Sequence, residues 1–312
     1  KLDYIQGLGA TSVWMTPPVA NLWWSNASSY GGYHGYWARD FTKVDEHFGT
    51  LEDYKALSRN LHSRGMYLIQ DIVVNHTGPF FGYEDNYDPE DTANNFVLFE
   101  KEFQQAPEQA PFHQINRLNP QHKEADIYNW TPSIVDFNND TQRLTYQLAN
   151  LADINTRHPQ VLATFKEVYK YWIEEVGVDA YRVDTAKFVE HEFWRRFFHD
   201  PDGINAFARE LGKDHFLSFG EVFEFSSTYK NDGEQKVQRY YGTEQQPEFN
   251  SVLGFPLYLE MEKVFAEGKP TRQLEYRLQQ HMAYSDPYTV VNFVDNHDVK
   301  RFLAVGSLAS FK

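Results

Sequence analysis

The chain has 312 residues, 41% hydrophobic and 23% charged, which suffices for a large buried core and fits one barrel-sized domain. A formal charge of −15, from 44 acidic against 29 basic residues, argues against nucleic acid as a partner, and no apolar run reaches the roughly 20 residues of a membrane span. The absence of cysteine excludes disulfides, thiolate nucleophiles and Cys-ligated zinc.

The chain opens Lys1-Leu2-Asp3 without initiator Met or signal-peptide features, so it reads as a possible fragment that a signal peptide could have preceded. Ser12–Met15, ahead of Pro17 and Pro18, predicts a short buried strand. Thr50 opens a helix with Asp53 as its capping-box partner, and Leu51, Tyr54, Leu57 and Leu61 form its apolar face. A strand follows over Tyr67–Val73. From residue 77 to 152 the sequence is polar, rich in Asn, Asp and Pro, and weakly periodic, which predicts an inserted subdomain. Helical spacing returns from Val161 to Val176, between Pro159 and Gly177. Strands are then expected over Asp179–Asp184, Phe216–Glu221, Asn250–Tyr258 and Tyr288–Asp295, with helices at Phe193–Phe198 and Gln273–Met282. Six strands alternating with helices indicate parallel α/β architecture.

Asp71, Asp184, Glu221 and Asp295 fall at the carboxyl ends of four of these strands, where parallel α/β folds collect catalytic groups. Arg182 lies two residues before Asp184, so strand alternation points both to one face, and a guanidinium there holds the carboxylate ionised. Glu221 follows the apolar stretch Phe216–Gly220, a setting suited to a general acid. One nucleophilic and one proton-donating carboxylate are what glycoside hydrolysis needs, with retention at a separation of roughly 5 Å. Aromatic residues, 17% of the chain, fit stacking surfaces for sugar rings.

Four segments, Asp71–His76 (DIVVNH), Gly177–Asp184 (GVDAYRVD), Phe219–Glu221 (FGE) and Phe293–Asp298 (FVDNHD), resemble the signature regions of the α-amylase superfamily, glycoside hydrolase family 13, in order and spacing. Leu151–Asn155 (LADIN) resembles its fifth region, and Tyr33–Trp37 (YHGYW) the loop after its second barrel strand. The resemblance implies a (β/α)8 TIM barrel with a subdomain inserted after the third strand. Only strands two to seven are evident, so the first and eighth strands and the C-terminal β-domain are expected to be missing from this chain. The implied division is 1–76 and 153–312 for the barrel and 77–152 for the insertion.

Residue by residue, the resemblance implies Asp184 as nucleophile, Glu221 as general acid/base and Asp295 as the third carboxylate. It implies substrate contacts from Tyr36, His76, Arg182, Lys187, His297 and Arg301, and structural calcium held by Asn75 and Asp153. Phe188 departs from the family's usual Lys-His pair at positions 187–188, which bears on contacts to the leaving group. The implied activity is retaining hydrolysis of α-1,4-glucosidic bonds in starch- or glycogen-type glucans. A glucanotransferase is the alternative, since Tyr33–Phe41 (YHGYWARDF) also resembles that group, and a non-catalytic sugar- or partner-binding relative stands third. The expected partner is an α-glucan and the expected compartment secreted or periplasmic.

Three signals are discounted or left open. Asp136–Asp140 lacks the Gly and the bidentate acid of a calcium loop, so it reads as a polar turn. His191-Glu192 lacks the second His of a zincin because Arg195 stands there. Trp23-Trp24 fits a sugar platform and plain packing equally.

Overall fold

In the computed structural model, which describes residues 1–122 and 126–307, local signals in the sequence set most of the elements. Strand β1 (Ser12–Met15) is followed by helix α1 (Leu51–His62), which starts where Thr50 Oγ1 accepts the Asp53 amide at 3.2 Å and Asp53 Oδ2 accepts the Thr50 amide at 2.9 Å. Those two bonds satisfy two of the amides that a helix start leaves unpaired. Strand β2 (Tyr67–Ile72) comes next. Helix α2 (Pro159–Val176) begins with a proline whose fixed φ suits the first turn and stops at Gly177, held at φ 79. It buries Val161, Phe165, Trp172, Ile173 and Val176 on one face and feeds strand β3 (Ala180–Val183). Helix α3 (His191–His199) buries Phe193, Trp194, Phe197 and Phe198.

The chain divides into two units, Lys1–Asp184 with Phe188–Phe216, and Thr185–Lys187 with Leu217–Lys312. In the first, β1, β2 and β3 run parallel, with Met15 opposite Gln70 and Asp71 opposite Arg182. The core here is aromatic as well as aliphatic. Trp172 donates its indole N–H to the Phe41 carbonyl at 2.9 Å, and the Tyr169 hydroxyl donates to the Val73 carbonyl at 2.6 Å, pinning α2 to the end of β2.

The segment 77–152 carries a small hairpin, Phe81–Tyr83 against Phe96–Leu98, and packs Phe80, Phe81, Phe96, Tyr128 and Trp130 together. Its two ends meet. Thr77 N–H donates to the Ala152 carbonyl at 3.1 Å, and Ile154 N–H to the Asn75 carbonyl at 2.9 Å. Segment 77–152 lies wholly within the first unit.

In the second unit, β4 (Leu217–Gly220) runs parallel to β5 (Ser251–Val252). Two expected strands are corrected here. The one over Asn250–Tyr258 shrinks to β5, because Pro256 enters the first turn of helix α4 (Phe255–Met261). The one over Tyr288–Asp295 is reduced to a single parallel bridge between Leu253 and Val291. Its alternating composition suits a strand, but a two-residue neighbour offers no longer ladder to join. Helix α5 (Thr271–His281) matches its expected span. No helix among the described residues is long and apolar enough to cross a membrane.

Candidate active site

The register of β2 against β3 sets Asp71 beside Arg182 on one face of the first unit. Arg182 Nη1 donates to both Asp71 oxygens and to Asp184 Oδ1, each at 2.9 Å. Asp71 and Arg182 are fully buried, and a buried ion survives only with dense pairing. That pairing is present. Trp14 Nε1 donates to Asp71 Oδ2 at 3.0 Å, and the Tyr36 hydroxyl donates to the same oxygen at 2.7 Å. The guanidinium also lies 5.3 Å from the Trp14 ring and 5.8 Å from the Tyr36 ring.

Burial pushes the Asp71 carboxyl up to about 7, the Asp184 charge adds to that, and Arg182 opposes it. Burial likewise raises Tyr36 above the ordinary phenol range, so it stays a hydrogen-bond donor. His76, fully enclosed, is held down to about 4 by burial, offset in part by a bond with the Tyr36 backbone. It is a neutral imidazole at physiological pH.

Asn75 and Asp153 are neighbours through the backbone bridge that pairs His76 with Asp153. Asp153 Oδ2 accepts from Asn129 Nδ2 at 2.6 Å, and Asn75 Nδ2 lies 3.2 Å from His76 Nδ1. Burial raises the Asp153 carboxyl well above the carboxylate range. No ion pair reaches it among the described residues, and no group of three or more acidic or imidazole side chains gathers there. Asn75 and Asp153, both buried at this bridge, carry an amide oxygen and a carboxylate, hard-oxygen donors of the kind that suit a cation such as calcium.

The second unit holds the other candidates. Glu221, buried at the end of β4, accepts the Thr185 amide on Oε2 at 2.8 Å. Lys187 Nζ donates to the Phe223 carbonyl at 2.6 Å and to Glu224 Oε1 at 3.1 Å. Asp295 lies in a loop, where Oδ2 accepts the Phe302 amide at 3.0 Å and Oδ1 accepts from Arg301 Nη1 at 2.9 Å. The Phe302 amide, and then Arg301, hold its carboxyl below the usual range. His297 Nε2 stands 3.3 Å from Asp298 Oδ2.

Geometry therefore gathers Tyr36, Asp71, Arg182 and Asp184 around one guanidinium, and Asn75, His76 and Asp153 around one backbone bridge. It pairs Asp295 with Arg301, and Lys187 with Glu224. Three participants escaped the sequence reading. These are the Trp14 indole, the Thr185 amide and Glu224. Trp14 pairs with Ile69, two residues from Asp71 on the same face, a relation visible only once the β1–β2 register is known. A cavity of about 410 Å³ lined by Met15, Val44, Phe48 and Leu57 includes none of the candidate residues.

The family described as alpha amylase, catalytic domain, matches residues 1–310. An alpha-amylase of Streptomyces lividans is 31% identical over 96% of this chain and 34% of its own length. A cyclomaltodextrin glucanotransferase of Klebsiella oxytoca is also 31% identical, over 96% of this chain and 43% of its own. The crystal structure of an Anoxybacillus alpha-amylase superposes with a TM-score of 0.73 at 31% identity, covering 100% of this chain and 56% of that one. The chain thus spans about a third to a half of these curated relatives.

Proposed function

This chain belongs to the alpha-amylase family, and from that premise we propose that it carries the catalytic machinery of a retaining hydrolase of α-1,4-glucans. The fold class is the (β/α)8 barrel of that family, and each unit holds parallel strands, β1–β3 in the first and β4–β5 in the second. The observation that carries the functional reading is the grip of Arg182 on Asp184. Nη1 donates to Asp184 Oδ1 at 2.9 Å, and both Asp71 oxygens hold the same nitrogen at 2.9 Å.

In this reading Asp184 attacks the anomeric carbon and forms a glycosyl ester. Glu221 gives its proton to the departing glycosidic oxygen, then takes one from the water that hydrolyses the ester. The Thr185 amide donates to Glu221 Oε2 at 2.8 Å and so helps to position the carboxyl. Asp295, kept ionised by Phe302 and Arg301, is the third carboxylate and grips ring hydroxyls. Tyr36 lies under the reacting sugar, while His76, His297, Lys187 and Arg301 contribute substrate contacts. Neutral His76 donates or accepts a hydrogen bond without adding charge. Asn75 and Asp153 would hold calcium, which supplies a structural tie between the two ends of segment 77–152, the inserted subdomain of a barrel formed by 1–76 and 153–312. The substrate is a starch- or glycogen-type glucan, and the compartment secreted or periplasmic.

The test is stereochemical. Proton NMR during early hydrolysis of a malto-oligosaccharide by the full-length protein should show the α-anomer first, because two displacements at one carbon retain configuration. An initial β-anomer overturns the assignment of Asp184 and Glu221. A second reading, glucanotransfer, is favoured by Tyr33–Phe41 and by the Klebsiella oxytoca relative. Chromatography of products from soluble starch separates the two, since transfer yields cyclic or elongated glucans.

A further inference from the structure

We propose that Glu102, in segment 77–152, is a positioning residue for Tyr36: its buried carboxylate gathers donors from Ser25, Asn26 and Ala27 and so fixes the loop that carries Tyr36. The inference rests on the glucan-hydrolase reading above. Glu102 is 3% exposed, and no cation pairs with it among the described residues. A buried carboxylate without a cation is unfavourable unless hydrogen-bond donors surround it. Here one oxygen, Oε1, accepts from Ser25 Oγ at 3.1 Å, from the Ala27 amide at 2.8 Å and from the Asn26 amide. Burial works against the charge, but the Ala27, Ser25 and Asn26 donors outweigh it and hold the carboxyl below the usual range. Bonds to an ionised acceptor are stronger than neutral ones, so a charge at this position holds the turn more tightly than an amide would.

Two more side chains of the same segment repeat the pattern. Gln105 Oε1 accepts the Trp23 amide at 3.3 Å, and Gln109 Oε1 accepts the Phe41 amide at 2.8 Å. The three acceptors stand three and four residues apart on one stretch of chain, and every donor but the Ser25 hydroxyl is a backbone amide. Amides in a turn have no ladder to join, and segment 77–152 supplies their acceptors. The Trp23 ring stacks on His47 with centroids 3.5 Å apart, so it serves as a packing residue of the same limb. Of the three acceptors only Glu102 carries a charge, and it holds the most donors.

The held turn is continuous with Tyr36. Ser25 pairs with Tyr30, and Trp24 with Gly31, in a short antiparallel pair. Tyr30 stacks on His34 at 6.0 Å and His34 on Tyr36 at 5.6 Å, while His34 Nδ1 accepts the Tyr36 amide at 3.1 Å. The Tyr36 hydroxyl ends the path on Asp71 Oδ2 at 2.7 Å, beside the Arg182 that grips Asp184. Closely packed rings and paired strands pass on a displacement rather than absorb it. Releasing the Ser25–Ala27 turn therefore lowers the fraction of molecules in which Tyr36 stands in its productive place.

The test is a double-mutant cycle on full-length protein with maltoheptaose as substrate. Glu102→Ala should lower kcat/KM about tenfold, the scale of one lost charge-assisted acceptor. Glu102→Gln keeps an accepting oxygen without the charge and should lose no more than about threefold. In a Tyr36→Ala background Glu102→Ala should cost under about twofold, because the residue it positions is gone. A readout apart from activity is chymotrypsin cleavage of the native protein after Trp24, Tyr30 and Tyr33, mapped by mass spectrometry. Glu102→Ala should accelerate those cuts several-fold, and Glu102→Gln should do so less. Wild-type kcat/KM in Glu102→Ala, equal losses in both Tyr36 backgrounds, a Gln variant no better than Ala, or unchanged cleavage each overturns the positioning role and leaves the hydrolase reading in place. Wild type that neither binds maltoheptaose by calorimetry nor cleaves it overturns the hydrolase reading and this inference with it.

Discussion

Asp71 and Asp184 share one guanidinium, and Asp71 lies the deeper of the two, at 0% exposure against 8%. Burial raises the Asp71 carboxyl to about 7, against the opposing pull of Arg182. The linkage has a definite sign. A carboxyl whose folded pKa lies above its unfolded value of roughly 4 contributes stability at low pH and loses that contribution as pH rises toward 7. Asp71→Asn, which does not titrate, should therefore gain stability relative to wild type between pH 4.5 and 7.5. Melting curves of the two proteins that run parallel over that range would refute the assignment. Asp184→Asn tests the other partner. The amide keeps the shape but cannot form the glycosyl ester, so turnover should fall by several orders of magnitude with the melting temperature nearly unchanged. Near-normal turnover in a folded preparation rules Asp184 out as nucleophile.

Elements whose ends carry their own chemistry were legible in the sequence. Thr50 and Asp53 announce α1, and Pro159 and Gly177 bracket α2, because caps act within one turn and need no distant partner. Gly177 sits at φ 79, and an added Cβ would meet only His62 and Ser58 at 3.4 and 3.5 Å, so crowding is mild and the burden is backbone strain. Gly177→Ala should lower unfolding free energy by about 1–2 kcal/mol, and Gly177→Asn by less, read from urea midpoints. Equal stability of all three proteins would mean that the left-handed turn does not fix this helix end. Strands were less legible. Tyr288–Asp295 has the right composition, yet a ladder exists only where a neighbour presents its backbone, and Leu253 offers one residue. The candidate site divides the same way. Asp184 and Arg182 could be paired by alternation on one strand, whereas the Trp14 and Tyr36 contacts to Asp71 depend on inter-strand register and a loop path that no local pattern records.

At the scale of the whole chain, the largest structural question is what ties a 76-residue polar segment to its scaffold. Backbone bonds at Thr77–Ala152 and Asn75–Ile154 close it at the base, and both proposed calcium ligands stand at that closure. Asp153 is fully buried and raised well above the carboxylate range by that burial, an unfavourable place for a lone charge. A cation there reverses the sign of the environment, so the ion and the ionised Asp153 stabilise each other, and backbone carbonyls complete a calcium shell. In a chain with a formal charge of −15 a bound dication also relieves some self-repulsion. Because the folded state alone assembles the site, binding stabilises it by mass action. Full-length protein stripped with chelator should melt several degrees lower than protein resupplied with calcium, the scale expected for one or two kcal/mol in a large domain. Asp153→Ala should abolish the difference. Lowering the pH should weaken calcium binding, since the ligand must give up its proton first. An unchanged melting temperature after chelation, together with no calcium by elemental analysis of the purified protein, would refute the ion and assign the tie to the protein's own hydrogen bonds, those of Thr77–Ala152, Asn75–Ile154 and Asn129–Asp153 among them.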